Sequence, residues 1–214
     1  MSTTSYAMLG MLALRPWTTY ELAKQVGRGL GQFWPRARSN LFGEPKKLVA
    51  RGFATATEDR VGKRPRTVYT ITPDGRRALR SWLATPGEGP VLEFEEMLKV
   101  FFADHGTKAD ALAAVQRIRG WASERNIENT AIARSYVEDT GPFPDRAAVL
   151  VLTGRFLTNF ADMVCEWADW AGTIIEDWPE DVRSAEPRWD VLADIARRLP
   201  GDRQGLPAAS KLGR

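Results

Sequence analysis

The sequence is short of the residues that most enzyme chemistry needs. It holds one cysteine, Cys165, and one histidine, His105, in 214 residues. A lone cysteine excludes an internal disulfide framework and fits a reducing compartment. His105 stands at a predicted helix end with no cysteine or histidine near it in sequence, so a capping or solvated role is expected. Cys165 lies among apolar neighbours and reads as a core thiol. A phosphate-cradling loop is missing as well, because Gly27, Gly29 and Gly31 do not follow a strand. No nucleophile elbow is present, and Glu93, Glu95 and Glu96 read as one solvated helix face. The expectation is a protein that is not an enzyme and has neither metal nor cofactor. The first residues are too polar and too poor in basic groups for a signal peptide. No uninterrupted apolar run approaches ~20 residues. A cytoplasmic location with no membrane partner is therefore expected.

What the sequence has in abundance is charge, unevenly placed. The formal net charge is only +3. Residues 1–86 hold 15 Lys and Arg against 5 Asp and Glu, while the remainder holds 15 against 22. A basic module that meets a polyanion, joined to an acidic module that does not, accounts for such a split.

The basic module has a readable order. Tyr6, Leu9, Leu12 and Leu14 mark a first helix ending near Arg15-Pro16. Thr18 with Glu21 three residues on has capping-box spacing, and Leu22, Ala23, Val26 and Leu30 continue a second helix. A third is expected from about Arg36 to Arg51, stopped by Gly52 and interrupted by Pro45, which removes a backbone bond and crowds the Leu41 carbonyl. Two strand-like runs follow, Ala54 to Arg60 and Arg66 to Thr72, joined by VGKRP with Lys63, Arg64 and Arg66 at the tip. In the second run Thr67, Tyr69 and Ile71 alternate against Val68 and Thr70. Thr72-Pro73-Asp74 then opens a further helix. Helices followed by a two-stranded hairpin with a basic tip describe a winged helix-turn-helix.

Tyr20-Glu21-Leu22, Ser39-Asn40-Leu41-Phe42, Lys46-Lys47-Leu48 and Gly52-Phe53, followed by Tyr69-Thr70-Ile71-Thr72-Pro73-Asp74-Gly75-Arg76 with Leu79 and Trp82, resemble the PadR family of transcriptional regulators. The likeness covers roughly residues 5–85. It implies a homodimer that binds double-stranded DNA, with a variable helical C-terminal part forming the dimer. The physics of the module points the same way. A DNA major groove admits one helix, and its base edges are read by Arg, Asn and Ser side chains. Arg36, Arg38, Ser39 and Asn40 open the third helix and are the candidate base readers. Lys46, Lys47, Arg60, Lys63, Arg64 and Arg66 are candidate phosphate contacts, which set affinity and register. A winged-helix protein-interaction module that does not read DNA is the alternative, and the basic wing weighs against it.

Thr85 to Pro90 is expected to be a linker between a winged-helix domain at 1–85 and a helical dimerisation domain at 91–199, and the tail at 200–214, rich in Gly, Pro and polar residues, is expected to be disordered. Helices are expected from Val91 to Asp104, from Thr107 or Asp110 onward, and from Asp145 to about Trp178. In the last of these, Val149, Leu152, Phe156, Phe160, Met163, Trp167, Trp170 and Ile174 line one face, widened by Leu157, Val164, Ala168 and Ala171. A seam this long suits a second subunit. Some relatives in the resembled family bind flat aromatic effectors near the dimer interface, which makes Trp167 and Trp170 candidate ligand-stacking residues for a small aromatic effector; the alternative is that both rings simply fill an interface. The fold class expected is mainly α: an N-terminal winged helix-turn-helix with a two-stranded wing, plus a C-terminal helical dimerisation domain.

Overall fold

The computed structural model describes residues 1–35, 43–61 and 64–197, with only the backbone of Arg28, Val61 and Arg64. The chain divides into two compact units, Met1–Val91 and Leu92–Arg214.

The first unit begins with α1 (Thr3–Leu14), capped by the Ser2 hydroxyl, which accepts from the Ser5 amide. A two-residue strand, β1 (Trp17–Thr18), leads into α2 (Thr19–Arg28). There Thr18 and Glu21 form the reciprocal capping box expected from their spacing, satisfying two orphan amides at once. Then come α3 (Glu44–Ala50), the hairpin β2 (Ala54–Val61) and β3 (Arg64–Ile71), and α4 (Pro73–Leu83). Buried Met8, Leu9 and Leu12 of α1 share the core with Trp17, Leu22, Val26, Leu48, Tyr69 and Ile71. The alternation in β3 decides this, since Tyr69 and Ile71 face inward together.

Three details depart from the expectations drawn from sequence. The connection VGKRP is mostly strand: Val61 pairs with Arg64 and Arg60 with Pro65, leaving only residues 62 and 63 between the strands. Pro65 is tolerated because β1 reaches β3 only at Val68 and Tyr69, so the far side of β3 at Pro65 lacks a paired strand. β1 itself, antiparallel to β3, has no sequence signal, since two residues carry no period. Finally, Pro45 lies in the first turn of α3 rather than mid-helix, where its missing N–H costs no helical bond.

Gly52 takes φ +74 just past α3, as the chain turns into β2. Gly75 is required for another reason. A Cβ there would fall 2.2 Å from the Phe53 carbonyl oxygen, which already accepts from the Thr72 amide. Helix propensity alone would favour alanine at this position. We expect Gly75→Ala instead to destabilise the first unit by about 2–3 kcal/mol, because backbone cannot yield as a side chain does. A melting temperature lowered by on the order of 10 °C would be the reading in a thermal unfolding experiment on a unit this size.

Among its described residues the second unit has four α-helices: α5 (Glu95–Phe101), α6 (Lys108–Val137), α7 (Ala147–Glu176) and α8 (Trp189–Arg197). α5 is shorter than expected, starting at Glu95 rather than Val91, and Ala103–His105 forms a separate 3-10 turn. Thr107 caps α6 with Asp110 in a second capping box. α6 and α7 run antiparallel, tied by Lys108 Nζ to the Glu176 and Trp178 carbonyls, by Arg119 to Asp169 and by Asn126 to Asp162. Their interface buries Ala111, Val115, Ile118 and Ala122 against Val164, Ala168, Ala171 and Ile175. Small residues let the two helices approach closely.

Of the large apolar residues of the expected α7 seam, Phe160 and Trp167 pack partly against this cluster and Ile174 is half-buried. The seam of Val149, Leu152, Phe156, Met163 and Trp170 is exposed, Leu152 at 70% and Phe156 at 63%. By length and composition this helix could cross a membrane, contrary to the reading by uninterrupted runs, which Arg155 and Asp162 break.

Candidate nucleic-acid interface

Of the candidate DNA contacts that are described, two lie on α3 and three on the hairpin. Lys46 and Lys47 are exposed on α3, on the opposite side from buried Leu48. Arg60 is exposed on β2, and Arg66 on β3. Arg64 is placed by its backbone at the start of β3, opposite Val61. Arg36, Arg38, Ser39, Asn40 and Lys63 lie outside the described residues.

Two of these cations have acidic partners that sequence reasoning misses. Arg66 grips Asp59 through Nε at 2.8 Å and Nη2 at 2.5 Å, because the hairpin register sets those two residues directly opposite. The Arg66 guanidinium, helped by the Arg60 amide, holds the Asp59 carboxyl below the usual range. Part of the charge expected at the wing is thus neutralised within it. Lys47 Nζ lies 2.7 Å from Glu44 Oε1, one turn back on α3. Glu44 is itself buried, at 4% exposure. Burial pushes its pKa up, but bonds from Lys47 and Ser5 outweigh that, and the net direction is down. A carboxylate so depressed stabilises the fold above its ordinary pKa, and that contribution fades as pH falls through the folded value. No pattern in the sequence marks Glu44, since its partner Ser5 lies 39 residues away.

Two helices and a hairpin, with exposed Lys46, Lys47, Arg60 and Arg66, are elements of the kind that a winged helix-turn-helix presents. Residues 8–81 match the Transcriptional regulator PadR-like family, and residues 95–176 match the family described as Virulence activator alpha C-term. Over residues 8–81 the chain is thus similar to the PadR-like family of transcriptional regulators. The Negative transcriptional regulator PadR of Bacillus subtilis is 34% identical over 104 residues, or 48% of this chain; the chain matches 57% of that relative's length. A crystal structure of Bacillus subtilis PadR in complex with operator DNA superposes with a TM-score of 0.64 at 23% identity, covering 81% of this chain and 99% of that one. The structure of the same protein in complex with p-coumaric acid gives 0.55 at 21%, covering 83% and 99%. At these identities the superpositions show the fold. The chain is mainly helical, with the winged helix at its N-terminus and a helical C-terminal region.

Trp167 and Trp170 stand three residues apart on α7, and the structure sets α8 beside them, a placement that the sequence does not disclose. Val191, Ile195, Asp190 and Asp194 of α8 line a groove of about 470 Å³ together with the two indoles. Trp167 packs partly against the buried cluster, while Trp170 is 45% exposed. The third central indole, Trp121, sits between Phe94 at 5.7 Å and Phe160 at 6.3 Å and belongs to the packing. Cys165 also packs against the cluster, and burial raises its pKa, which makes it a poor thiolate.

Proposed function

We propose that this protein is a repressor that binds a palindromic operator as a homodimer, in the cytoplasm, reading bases from the start of its third helical segment and gripping phosphate with the wing. The observation that carries this reading is the occurrence, in one chain with a basic winged helix, of a 30-residue helix whose Val149, Leu152, Phe156 and Met163 are exposed among the described residues. One winged helix holds one half-site. A two-fold dimer holds two, about one helical turn or a multiple apart. The test is selection of duplexes from a random library by the full-length chain. Inverted repeats at fixed spacing support the reading, and a library without enrichment removes it.

The groove at Trp167 and Trp170 supports a second element of this proposal, a small flat aromatic effector that alters the spacing of the two DNA-reading heads. Indole offers a large stacking surface at little conformational cost. A ligand changes operator affinity only by binding the two spacings unequally. Titration with planar aromatics is expected to quench Trp fluorescence and to weaken operator binding. Quenching that persists in the Trp167→Ala, Trp170→Ala double variant would move the site elsewhere. Quenching with unchanged operator affinity would leave a pocket without a switch.

A further inference from the structure

The first turn of α1 makes two polar contacts that the DNA-binding reading leaves unused. Thr4 Oγ1 accepts a hydrogen bond from Trp34 Nε1 at 3.1 Å. Its neighbour Ser5 donates from Oγ to Glu44 Oε2 at 2.7 Å. Thr4, Ser5 and Glu44 are all buried, at 8%, 6% and 4% exposure. Ser2 caps the same turn and its Oγ lies 2.9 Å from Ser5 Oγ, which orients the Ser5 hydroxyl toward the carboxylate. The other oxygen of Glu44 holds Lys47, a candidate phosphate contact on α3. Trp34 and Glu44 stand on either side of residues 36–42 in the sequence, so adjacent residues of α1 hold both flanks of that stretch.

We propose that Thr4 and Ser5 are positioning residues for DNA recognition: they fix where α3 and the Trp34 segment sit, and so govern discrimination between sequences rather than affinity for DNA in general. The proposal rests on the operator-binding reading. Its physical reason is the difference between apolar and polar packing. Burial of Leu48 where α3 packs on α1 keeps α3 on the core but is nondirectional, so it leaves rotation and sliding poorly fixed. A hydroxyl–carboxylate bond in a buried setting is short and directional, and an unpaired buried carboxylate oxygen is costly. Base-edge contacts need placement to within about 0.5 Å, whereas long lysine and arginine side chains reach phosphates across larger displacements. Loosening the α1 contacts should therefore cost base readout first.

The experiment uses the full-length chain, the duplex it selects from a random library, and a scrambled duplex of the same length. Thr4→Val and Ser5→Ala remove the acceptor and the donor without touching any residue assigned to DNA. The double variant is expected to lose about tenfold in the ratio of selected to scrambled affinity. Its affinity for the scrambled duplex, and its dependence of log K on log salt, should be unchanged. Thr4→Ser, which keeps the hydroxyl, should retain the wild-type ratio. Binding is measured well below each variant's own unfolding midpoint, so that a loss of stability is not read as a loss of discrimination. If the double variant does not fold, Thr4→Val alone carries the test, since it leaves the Ser5–Glu44 bond in place. A wild-type ratio kept in full by the folded variant overturns the proposal. A wild-type chain that prefers no sequence removes the operator reading, and this inference with it.

Discussion

Replacing Lys63, Arg64 and Arg66 together by alanine is expected to weaken binding to every duplex, selected or scrambled, and to flatten its salt dependence. For each phosphate that the protein no longer neutralises, binding releases fewer condensed counterions, and the slope of log K against log salt falls by about 0.9. The triple variant should therefore show a slope smaller by between about 2 and 3 units, depending on what Arg66 contributes. The ion pair with Asp59 makes that a separate question. An arginine already committed to a carboxylate must share its guanidinium or exchange partners on binding. Arg66→Ala alone should then change the slope less than Arg64→Ala, and Asp59→Asn should strengthen DNA binding. Arg38→Ala should behave differently, relaxing preference at one base position by about 1–3 kcal/mol while leaving the slope nearly as it was. An unchanged slope in the triple variant would show that the wing does not touch DNA.

The larger structural prediction concerns α7. Leu152 and Phe156 are mostly exposed in the single chain, so an aspartate at either place should leave the second unit folded. Buried against a second copy, the same carboxylates would each be stranded in an apolar interface, a severe penalty without a partner. Leu152→Asp with Phe156→Asp is therefore expected to convert a dimer into a monomer at micromolar concentration by sedimentation, with helical content retained. Operator affinity should fall by about 10²–10⁴, because the second half-site no longer benefits from effective concentration. The wild-type chain found as a monomer would sink this, and so would a double variant that remains dimeric. A membrane role for α7 predicts something else, namely that the wild-type chain partitions into neutral lipid vesicles. Arg155 and Asp162 on that helix argue against it, since charge within a bilayer is expensive.

Most of the first unit is legible in the sequence because local chemistry and tertiary packing agree there. The Thr18–Glu21 box, the Thr72 cap with Pro73 after it, the Gly52 stop and the alternation of Tyr69 and Ile71 each express a preference of a few neighbouring residues. The length of the hairpin connection is hidden because Pro65 looks like a loop residue. Only the short reach of β1 reveals that the strand is open on that side. Pro45 looks like a helix interruption for a similar reason, and its harmlessness follows from its place in the first turn of α3.

By itself the sequence determined the charge split, the order of the main helices and the two wing strands, the basic wing and the family likeness, since all of these are written in residue type and near-neighbour spacing. The tertiary structure alone decided which face of α7 is satisfied within the chain. The period allowed both the small and the large side chains as its core, and only the approach of α6 shows that Val164, Ala168 and Ala171 took that place. It also decided which charges are spoken for. Asp59 and Arg66 meet through strand register, and Glu44 meets Ser5 across 39 residues of chain. Contacts between residues far apart in sequence leave no trace in local patterns, because what fixes them is the packing of whole elements.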